Sequence, residues 1–344
     1  MISHQAKRKS PAMRFYAAIA GDFSYILILH PSNKVLHPFI RACTLLDSAN
    51  QATSNCIKDG AFIDVGQGDS TVIRTGPHNA IVIDTGNDDG AAARCLSQLK
   101  ITQIDLLVLS HYHSDHVGGI KSVIAGRQVK AAIGPGGCGG EAAQVYGILA
   151  QAGVALAAAK PGTQGVIGNV KWQTLGHSPA DAEKHSCPRN NQKTESESEL
   201  NDLSTVFIAE IGTGFDAITL IALGDLETNG QTELLGDLIR AKATVMRDAA
   251  PALWASQLDG LGRGFDIVKV AHHGSAKQSP ALARRLQPAA AVFSAGANNT
   301  YGHPTQKALE LYQTVGATNI RTDQCGTAIF TKQDETLNLT CLRN

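Results

Sequence analysis

The feature that most constrains the fold is a run of metal-binding side chains placed directly after an apolar segment. Residues 104–110 are almost entirely apolar, and residues 111–116 follow them with the sequence His-Tyr-His-Ser-Asp-His. A short apolar segment of this kind is typical of a strand buried on both faces of a sheet. The chain must therefore fold so that a buried strand ends where several polar side chains gather.

The spacing within this run suits transition-metal binding. Zinc binds imidazole nitrogen and carboxylate oxygen at about 2.0–2.2 Å, usually with four ligands. Residues i and i+2 of an extended segment point the same way, so His111 and His113 can hold one ion. Asp115 and His116 lie slightly further on and can reach a second ion. A surface loop with incidental histidines is the alternative, and the density of ligands disfavours it.

The periodicity of the chain predicts two kinds of segment. Strand patterns cover residues 61–65, 70–74, 80–84, 106–109, 129–133, 170–175, 203–211, 217–223, 265–270, 289–294, 319–322 and 327–332. Helical patterns cover residues 91–99, 117–124, 141–151, 228–241, 280–286 and 305–315, with Ser279 as the N-cap of the fifth. Hairpins come first and mixed strands and helices follow, which predicts an α/β (α+β) protein with two mixed sheets packed face to face and helices outside.

Two further candidate ligand positions also follow apolar strands. Asp225 comes shortly after residues 217–223, and His272 and His273 come directly after residues 265–270. Asp225 has a helix N-cap as its alternative role, and paired histidines are often structural. Their position after buried strands favours metal binding.

Three more residues are candidates for contact with a substrate. Tyr301 and His303 lie in a loop before a helix, where a plain turn is the alternative interpretation. Glu227 follows Asp225 closely and is a candidate of the same kind.

Composition limits the class of partner. The chain has 30 basic and 30 acidic residues, so no basic field attracts nucleic acid non-specifically. Aromatic residues make up 5% of the chain, which argues against an extended groove of stacking platforms. A polyanion remains acceptable as a substrate, because bound metal ions carry their own positive charge.

Two regions fall outside the periodic pattern. Residues 1–56 lack clear periodicity and are predicted to be an N-terminal extension or leader ahead of a domain at 57–344. Residues 178–200 are polar and are predicted to be an insertion in that domain. The seven cysteines are an odd, unclustered set, which predicts reduced thiols in the cytoplasm. Export is the alternative if residues 1–30 act as a leader, and no stretch offers the roughly 20 apolar residues of a membrane span.

The run at residues 111–116 matches the motif His-x-His-x-Asp-His of the metallo-β-lactamase superfamily. Other motifs that carry the resemblance occur in order at residues 62–70, 83–86, 224–227, 272–275 and 301–304. Together they resemble the soluble hydrolase domain of ComEC-type competence proteins, the DNA-uptake channels, and their free-standing relatives. The resemblance covers residues 61–335 and implies a four-layer αββα sandwich, the metallo-β-lactamase fold.

The resemblance also implies a site for two zinc ions, with manganese as the alternative metal. The residues that it assigns as ligands are His111, His113, Asp115, His116, His177, Asp225 and His273. Asp225 would bridge the two ions, and Asp84 would support the histidine loop by hydrogen bonding. The third ligand of the first zinc stays open between His177, His185 and no residue.

The function implied by the resemblance is metal-dependent hydrolysis by a metal-bridged hydroxide, most simply of a phosphodiester, as in a phosphodiesterase or nuclease. Asp115 is expected to be catalytic, with His272 and then His303 as candidate acids near the leaving group. The substrate would be nucleic acid or a small phosphoester. The alternatives are a lactone or β-lactam hydrolase and a catalytically degenerate binding protein of the same fold.

Overall fold

The computed structural model describes residues 26–29, 59–136, 140–175, 197–245 and 264–342. The predictions for His177 and His185, for most of the polar insertion and for a leader lie outside these residues. Within them, the strands are, in chain order, β1 Ile26–Leu29, β2 Gly60–Phe62, β3 Thr71–Arg74, β4 Asn79–Ile83, β5 Gln103–Val108, β6 Gln128–Val129, β7 Ala132–Gly134, β8 Leu156–Ala158, β9 Gln164–Ile167, β10 Val170–Leu175, β11 Val206–Ile211, β12 Ile218–Ala222, β13 Ile267–Lys269, β14 Ala290–Phe293, β15 Thr318–Arg321, β16 Thr327–Gln333 and β17 Thr336–Leu342. The helices are α1 Ala91–Gln98, α2 Ser114–Val117, α3 Ile120–Ile124, α4 Gly140–Gln151, α5 Glu197–Asp202, α6 Thr228–Val245, α7 Pro280–Leu286, α8 Gln306–Thr314 and α9 Thr322–Cys325.

These strands form two mixed sheets. The first sheet has the order β1-β17-β16-β2-β3-β4-β5-β7-β8, with β6 beside β5, and it changes from antiparallel to parallel at the β4–β5 pair. The second sheet has the order β15-β14-β13-β12-β11-β10-β9 and is parallel from β12 to β15. In each sheet, strands of the parallel half end at one edge.

The two sheets pack face to face over a central apolar layer. Phe62 and Leu106 of the first sheet lie in this layer with Phe207 and Leu220 of the second, and all four are at most 2% exposed. Side chains alternate between the faces of a strand, so the neighbours of these residues point outward. The strands are therefore apolar on both faces.

Helices cover the outer faces of both sheets. Leu107 of β5 packs with Leu96 of α1 outside the first sheet, and Ile221 of β12 packs with Leu282 of α7 outside the second. The layers thus run helix, sheet, sheet, helix. The predicted αββα sandwich is confirmed, as is the burial of the strand before the histidine run on both faces.

Several strands were not predicted. β8 and β9 are short and partly exposed, and β17 forms a hairpin with β16 at the end of the described chain. β1, within the predicted N-terminal extension, pairs antiparallel with β17. The domain boundary at residue 57 stays a prediction.

The cysteine prediction was wrong for one pair. Cys325 of α9 and Cys341 of β17 form a disulfide, with their Cα atoms 4.9 Å apart. Their separation of 16 residues in sequence gave no local pairing signal, and only the β16–β17 hairpin brings them together. Cys95 is a free thiol.

In the described part of the chain, none of the helices has both the length and the apolar character needed to cross a membrane.

The start of α7 offers a test of local stability. Ser279 accepts a hydrogen bond from the Leu282 amide and Pro280 is the first helical residue, as predicted. We expect Ser279→Ala to lower the free energy of unfolding by about 0.5–2 kcal/mol, because a buried amide loses its partner. Thr232→Ala is the control, since this exposed hydroxyl bonds only within α6, and its effect should stay within about 0.5 kcal/mol. If urea titrations gave the same loss in free energy of unfolding for both variants, the capping role of Ser279 would be contradicted.

Candidate metal centre

The candidate site lies at the edge where the parallel strands of both sheets end. Asp84 follows β4 and His111 follows β5 in the first sheet, while Asp225 follows β12 and His273 follows β13 in the second. Because parallel strands direct their carboxyl ends to the same edge, residues distant in sequence meet there. All four residues are at most 2% exposed.

The first two histidines of the run face each other. His111 Nε2 lies 3.1 Å from His113 Nδ1. His113 is the N-cap of α2, and its carbonyl accepts from the His116 amide, which turns the chain after it. We call His111 Nε2 and His113 Nδ1 the first donor pair.

Three further ligand atoms form a second donor group. His116 Nε2 lies 3.4 Å from His273 Nε2, and His273 Nε2 lies 3.1 Å from Asp115 Oδ2. Two ligands bound at 2.1 Å in tetrahedral geometry stand about 3.4 Å apart. The spacing within this group therefore fits atoms that share one ion.

Asp225 lies between the two sets of donors. Its Oδ2 is 3.3 Å from His273 Nε2 and 4.0 Å from His111 Nε2. Its buried Oδ1 accepts no well-aligned hydrogen bond from any described residue, although His116 Nε2 is 3.2 Å away. A bound cation would satisfy such a buried carboxylate oxygen.

The electrostatics of the site also fit a cation. Burial alone would lower the pKa of His116, but Asp225 and Asp115 raise it well above its ordinary value. Burial likewise opposes the charge on His273, whose pKa is nevertheless raised by Asp225 and Asp69. The carboxylates thus favour positive charge at these imidazoles, and a divalent ion among the same atoms would supply it.

Asp84 orients His116 from behind. Its carboxylate accepts from the Ser110 amide at 2.7 Å and the Ser110 hydroxyl at 2.6 Å, and it lies 2.9 Å from His116 Nδ1. A proton on Nδ1 leaves Nε2 free to bind metal. The Asp84 backbone has a φ of 57°, in the left-handed region that aspartate and asparagine tolerate best after glycine.

A strained turn orients the side chains of His272 and His273. His272 and His273 have φ angles of 48° and 51°, a conformation that costs on the order of 1–3 kcal/mol per residue. The His272 amide donates to the Gly224 carbonyl at 3.0 Å, which ties this turn to the segment that carries Asp225. His273 Nδ1 lies 2.8 Å from the Ser294 carbonyl, so it donates there and Nε2 faces the site.

His272, His303 and Tyr301 form the rim of the site. His272 Nε2 is 3.9 Å from Asp225 Oδ2. The rings of His272 and His303 meet edge to face with their centroids 5.3 Å apart, and the Tyr301 ring stacks on His303 with a centroid distance of 6.1 Å. Burial first, then His272 and His273, lower the pKa of His303 to about 4, and burial also lowers the pKa of His272. Both imidazoles are therefore neutral at pH 7, and their expected role as acids near the leaving group stays a prediction.

The Glu227 carboxylate is engaged by neighbouring side chains, and its expected contact with substrate stays a prediction. Its side chain is 7% exposed and accepts from Ser198, Asn201 and Lys277, the first at 2.5 Å. Its Oε1 also lies 3.5 Å from His272 Nδ1. Glu227 thus lies on the Nδ1 side of the His272 ring, whereas Nε2 faces Asp225.

Sequence reasoning missed two buried residues beside the site. Asp69, in the turn between β2 and β3, forms an ion pair with Lys269 at the end of β13. Asp69, His116, Asp225 and His273 offer ligand atoms within 4.8 Å of one another. Asp69 nevertheless faces the Nδ1 atoms of both imidazoles, on the side away from the Nε2 atoms, and Lys269 already balances its charge.

Each of the two residues left a signal in the sequence. Lys269 interrupts an otherwise apolar strand, and a lysine is almost never fully buried without a partner. Asp69 follows Gly68, whose φ is 131° and whose added Cβ would collide with the Asp115 carbonyl. That close approach lets the Asp69 amide donate to the Asp115 carbonyl at 3.1 Å.

Comparison with known proteins agrees with this architecture. Residues 63–180 match the family model described as the metallo-beta-lactamase superfamily. This region therefore resembles a metallo-β-lactamase superfamily domain. A match to this superfamily implies a metal-dependent hydrolase.

Two curated relatives are competence proteins by name. The chain is 29% identical over 290 residues to ComE operon protein 3 of Bacillus subtilis (strain 168), covering 77% of this chain and 32% of that protein. It is 26% identical over 272 residues to Competence protein ComA of Neisseria gonorrhoeae, covering 78% of this chain and 31% of that protein. The chain thus spans about a third of the length of these relatives.

The similar solved structures are more distant in sequence. The metallo-beta-lactamase fold protein YhfI from Bacillus subtilis is 10% identical with a TM-score of 0.43, covering 76% of this chain and 95% of that one. Zn(2+)-bound PqqB from Methylobacterium extorquens is 12% identical with a TM-score of 0.40, covering 74% and 85%.

The role of Asp84 can be tested without changing the shape of the site. Asp84→Asn keeps the side-chain volume and tolerates the left-handed backbone, but it removes a charge and an acceptor. We expect zinc affinity to fall about 10- to 100-fold, measured by competition with a chromogenic chelator. Asp105→Asn is the control. Asp105 lies in the first half of β5, away from the site, and its carboxylate accepts hydrogen bonds from Thr75 and Gln103. Equal zinc affinity of both variants would contradict the orienting role.

Proposed function

We propose that this chain is a two-metal phosphodiesterase that acts on a nucleotide-containing substrate. The observation that carries the proposal is the position of Asp225, whose Oδ2 faces both the first donor pair and the second donor group. A carboxylate shared in this way holds two ions next to each other, as in two-metal hydrolases.

The assignment of ligands follows from the two sets of donors. His111 and His113 would hold the first ion, and Asp115, His116 and His273 the second, with Asp225 contacting both. Whether His177 completes the first site stays a prediction. Zinc suits this nitrogen and oxygen donor set, with manganese as the alternative.

Two divalent ions bound there would supply Lewis acidity and a water whose pKa is lowered to near 7. The protein's own residues would bind and orient the substrate. Carboxylates surround the histidines, and two divalent ions bound among them would add positive charge, so that a phosphodiester anion is accepted. The neutral imidazoles of His272 and His303 would donate N–H groups to its oxygens.

The rim suggests why the substrate would carry a base. Tyr301 is 71% exposed, and its ring stacks on the His303 ring at the edge of the site. Asn299 holds this loop in place, because its side chain donates to the Gly296 and His303 carbonyls and accepts from the His303 amide. An exposed aromatic ring on this anchored loop offers one stacking position for a base next to the scissile phosphate.

The metal requirement is tested first. We expect elemental analysis to find close to two zinc or manganese ions per chain, and removal by chelation to abolish cleavage of bis(p-nitrophenyl) phosphate. His113→Ala and Asp115→Ala should each lower kcat/KM by at least about 100-fold, more than the loss of an outer hydrogen bond costs. The exposed Asp88→Ala is the control. Unchanged activity of the ligand variants would refute the assignment.

The substrate class is tested in parallel. Initial rates on bis(p-nitrophenyl) phosphate, a thymidine p-nitrophenyl phosphodiester, single-stranded DNA and a chromogenic β-lactam should favour the nucleotide phosphodiesters. Hydrolysis of the β-lactam alone would overturn the proposal.

Tyr301 gives a sharper test of base recognition. Tyr301→Ala should raise KM for the thymidine phosphodiester roughly 5- to 150-fold, because stacking of one base contributes about 1–3 kcal/mol. The KM for methyl p-nitrophenyl phosphate, which has no base, should change much less. Phe215→Ala is the matched control, since Phe215 is 75% exposed but lies between β11 and β12 at the opposite edge of the second sheet. An equal change in KM for both substrates would argue against a base-stacking role.

A further inference from the structure

A buried lysine lies directly beneath the candidate metal centre. Lys269 is 2% exposed and ends β13, shortly before His273. Its Nζ donates to the Gly224 carbonyl at 3.0 Å, forms an ion pair with Asp69 and lies 3.6 Å from Asp225 Oδ1. A buried ammonium is stable only with such partners, so its place in the fold is tightly determined.

Asp69 anchors the lysine from the far side. Its Oδ1 accepts from the Ser294 hydroxyl, and its carboxylate is 3.4 Å from His273 Nδ1 and 3.7 Å from His116 Nδ1. These are the imidazole atoms that point away from Asp225. Lys269 therefore spans the space between a carboxylate outside the metal centre and one inside it.

We propose that Lys269 is a positioning residue that holds the Asp225 carboxylate in its bridging orientation. The ammonium attracts Oδ1, and Oδ2 then stays between His111 and His273. The amide of Asp225 is held by the Ser204 hydroxyl at 2.9 Å, so the backbone here has a second anchor besides the hydrogen bond from Lys269 to the Gly224 carbonyl. The inference rests on the two-metal site proposed above.

The consequence should differ between the two ions. The first donor pair has two described histidine atoms and depends on Asp225 for a further ligand. The second donor group has three described ligand atoms besides Asp225. Without the ammonium, the carboxylate is free to turn toward one ion, and the first ion loses the larger share of its ligands.

A competing explanation is that Lys269 only balances the charge of Asp69. A cycle of neutral variants separates the two roles. Lys269→Met alone leaves Asp69 buried without its partner, which destabilises the fold. The double variant Lys269→Met/Asp69→Asn removes both charges together, so its thermal midpoint should return most of the way to that of the parent protein.

The readouts are zinc stoichiometry, zinc affinity by chelator competition and the thermal midpoint of the metal-free protein. We expect the double variant to bind one zinc with near-parent affinity and the other about 10- to 100-fold more weakly. Asp69→Asn alone keeps the ammonium beside Asp225 and should retain two tightly bound ions.

The control is a second lysine–aspartate pair. Lys332 Nζ lies 2.9 Å from Asp266 Oδ1. This pair is near the start of β12 and β13, at the edge of the second sheet opposite to the candidate metal centre. Lys332→Met/Asp266→Asn should leave both zinc affinities unchanged.

The possible outcomes are distinct. Two tightly bound ions in the Lys269→Met/Asp69→Asn variant would show that the lysine only balances charge, and the inference would fail while the proposed function stands. Failure of that variant to fold would likewise assign Lys269 to the fold alone. A parent protein that binds no metal would overturn both proposals.

Discussion

The structure around the candidate metal centre depends on the compensation of buried negative charge. Asp69, Asp84 and Asp225 are at most 4% exposed, and burial by itself raises the free energy of each ionised carboxylate. Each has a different source of compensation. Asp84 accepts from Ser110 and faces His116, Asp69 pairs with Lys269, and Asp225 lies among imidazoles with one oxygen that lacks a hydrogen bond. Asp225 is the carboxylate of the three that lies between the two sets of donors, where a metal ion would compensate its charge.

The same requirement explains why the site needs both sheets. The histidine run and Asp84 follow strands of the first sheet, whereas Asp225 and His273 follow strands of the second. Direct contacts join the halves, among them His116 Nε2 to His273 Nε2 and the ion pair between Asp69 and Lys269. The left-handed turn at His272 and His273 persists because the sandwich holds both of its ends, at the Gly224 and Ser294 carbonyls. The central apolar layer therefore stabilises the sandwich and also sets the spacing of the ligands.

Sequence reasoning was most successful where periodicity is strong. Residues 104–110 predicted a strand buried on both faces, and Ser279 with Pro280 predicted the start of α7, because both signals are local. It failed for the Cys325–Cys341 disulfide and for the closing strand β17, where the partner is chosen by the hairpin. It did not reveal that Ser198, Asn201 and Lys277 surround the Glu227 carboxylate, because those contacts depend on the tertiary fold.

The sequence by itself determined which chemistry is available, because the identity and spacing of His111, His113, Asp115 and His116 establish a set of nitrogen and oxygen donors at the end of a buried strand. It also supplied the family resemblance. The tertiary structure alone decided how those donors divide into a pair and a group around Asp225, and that Lys269 and Asp69 lie beneath them. The physical reason is that distances between side chains from different strands depend on sheet order and on the packing of the two sheets, and residues far apart in sequence carry no local record of either.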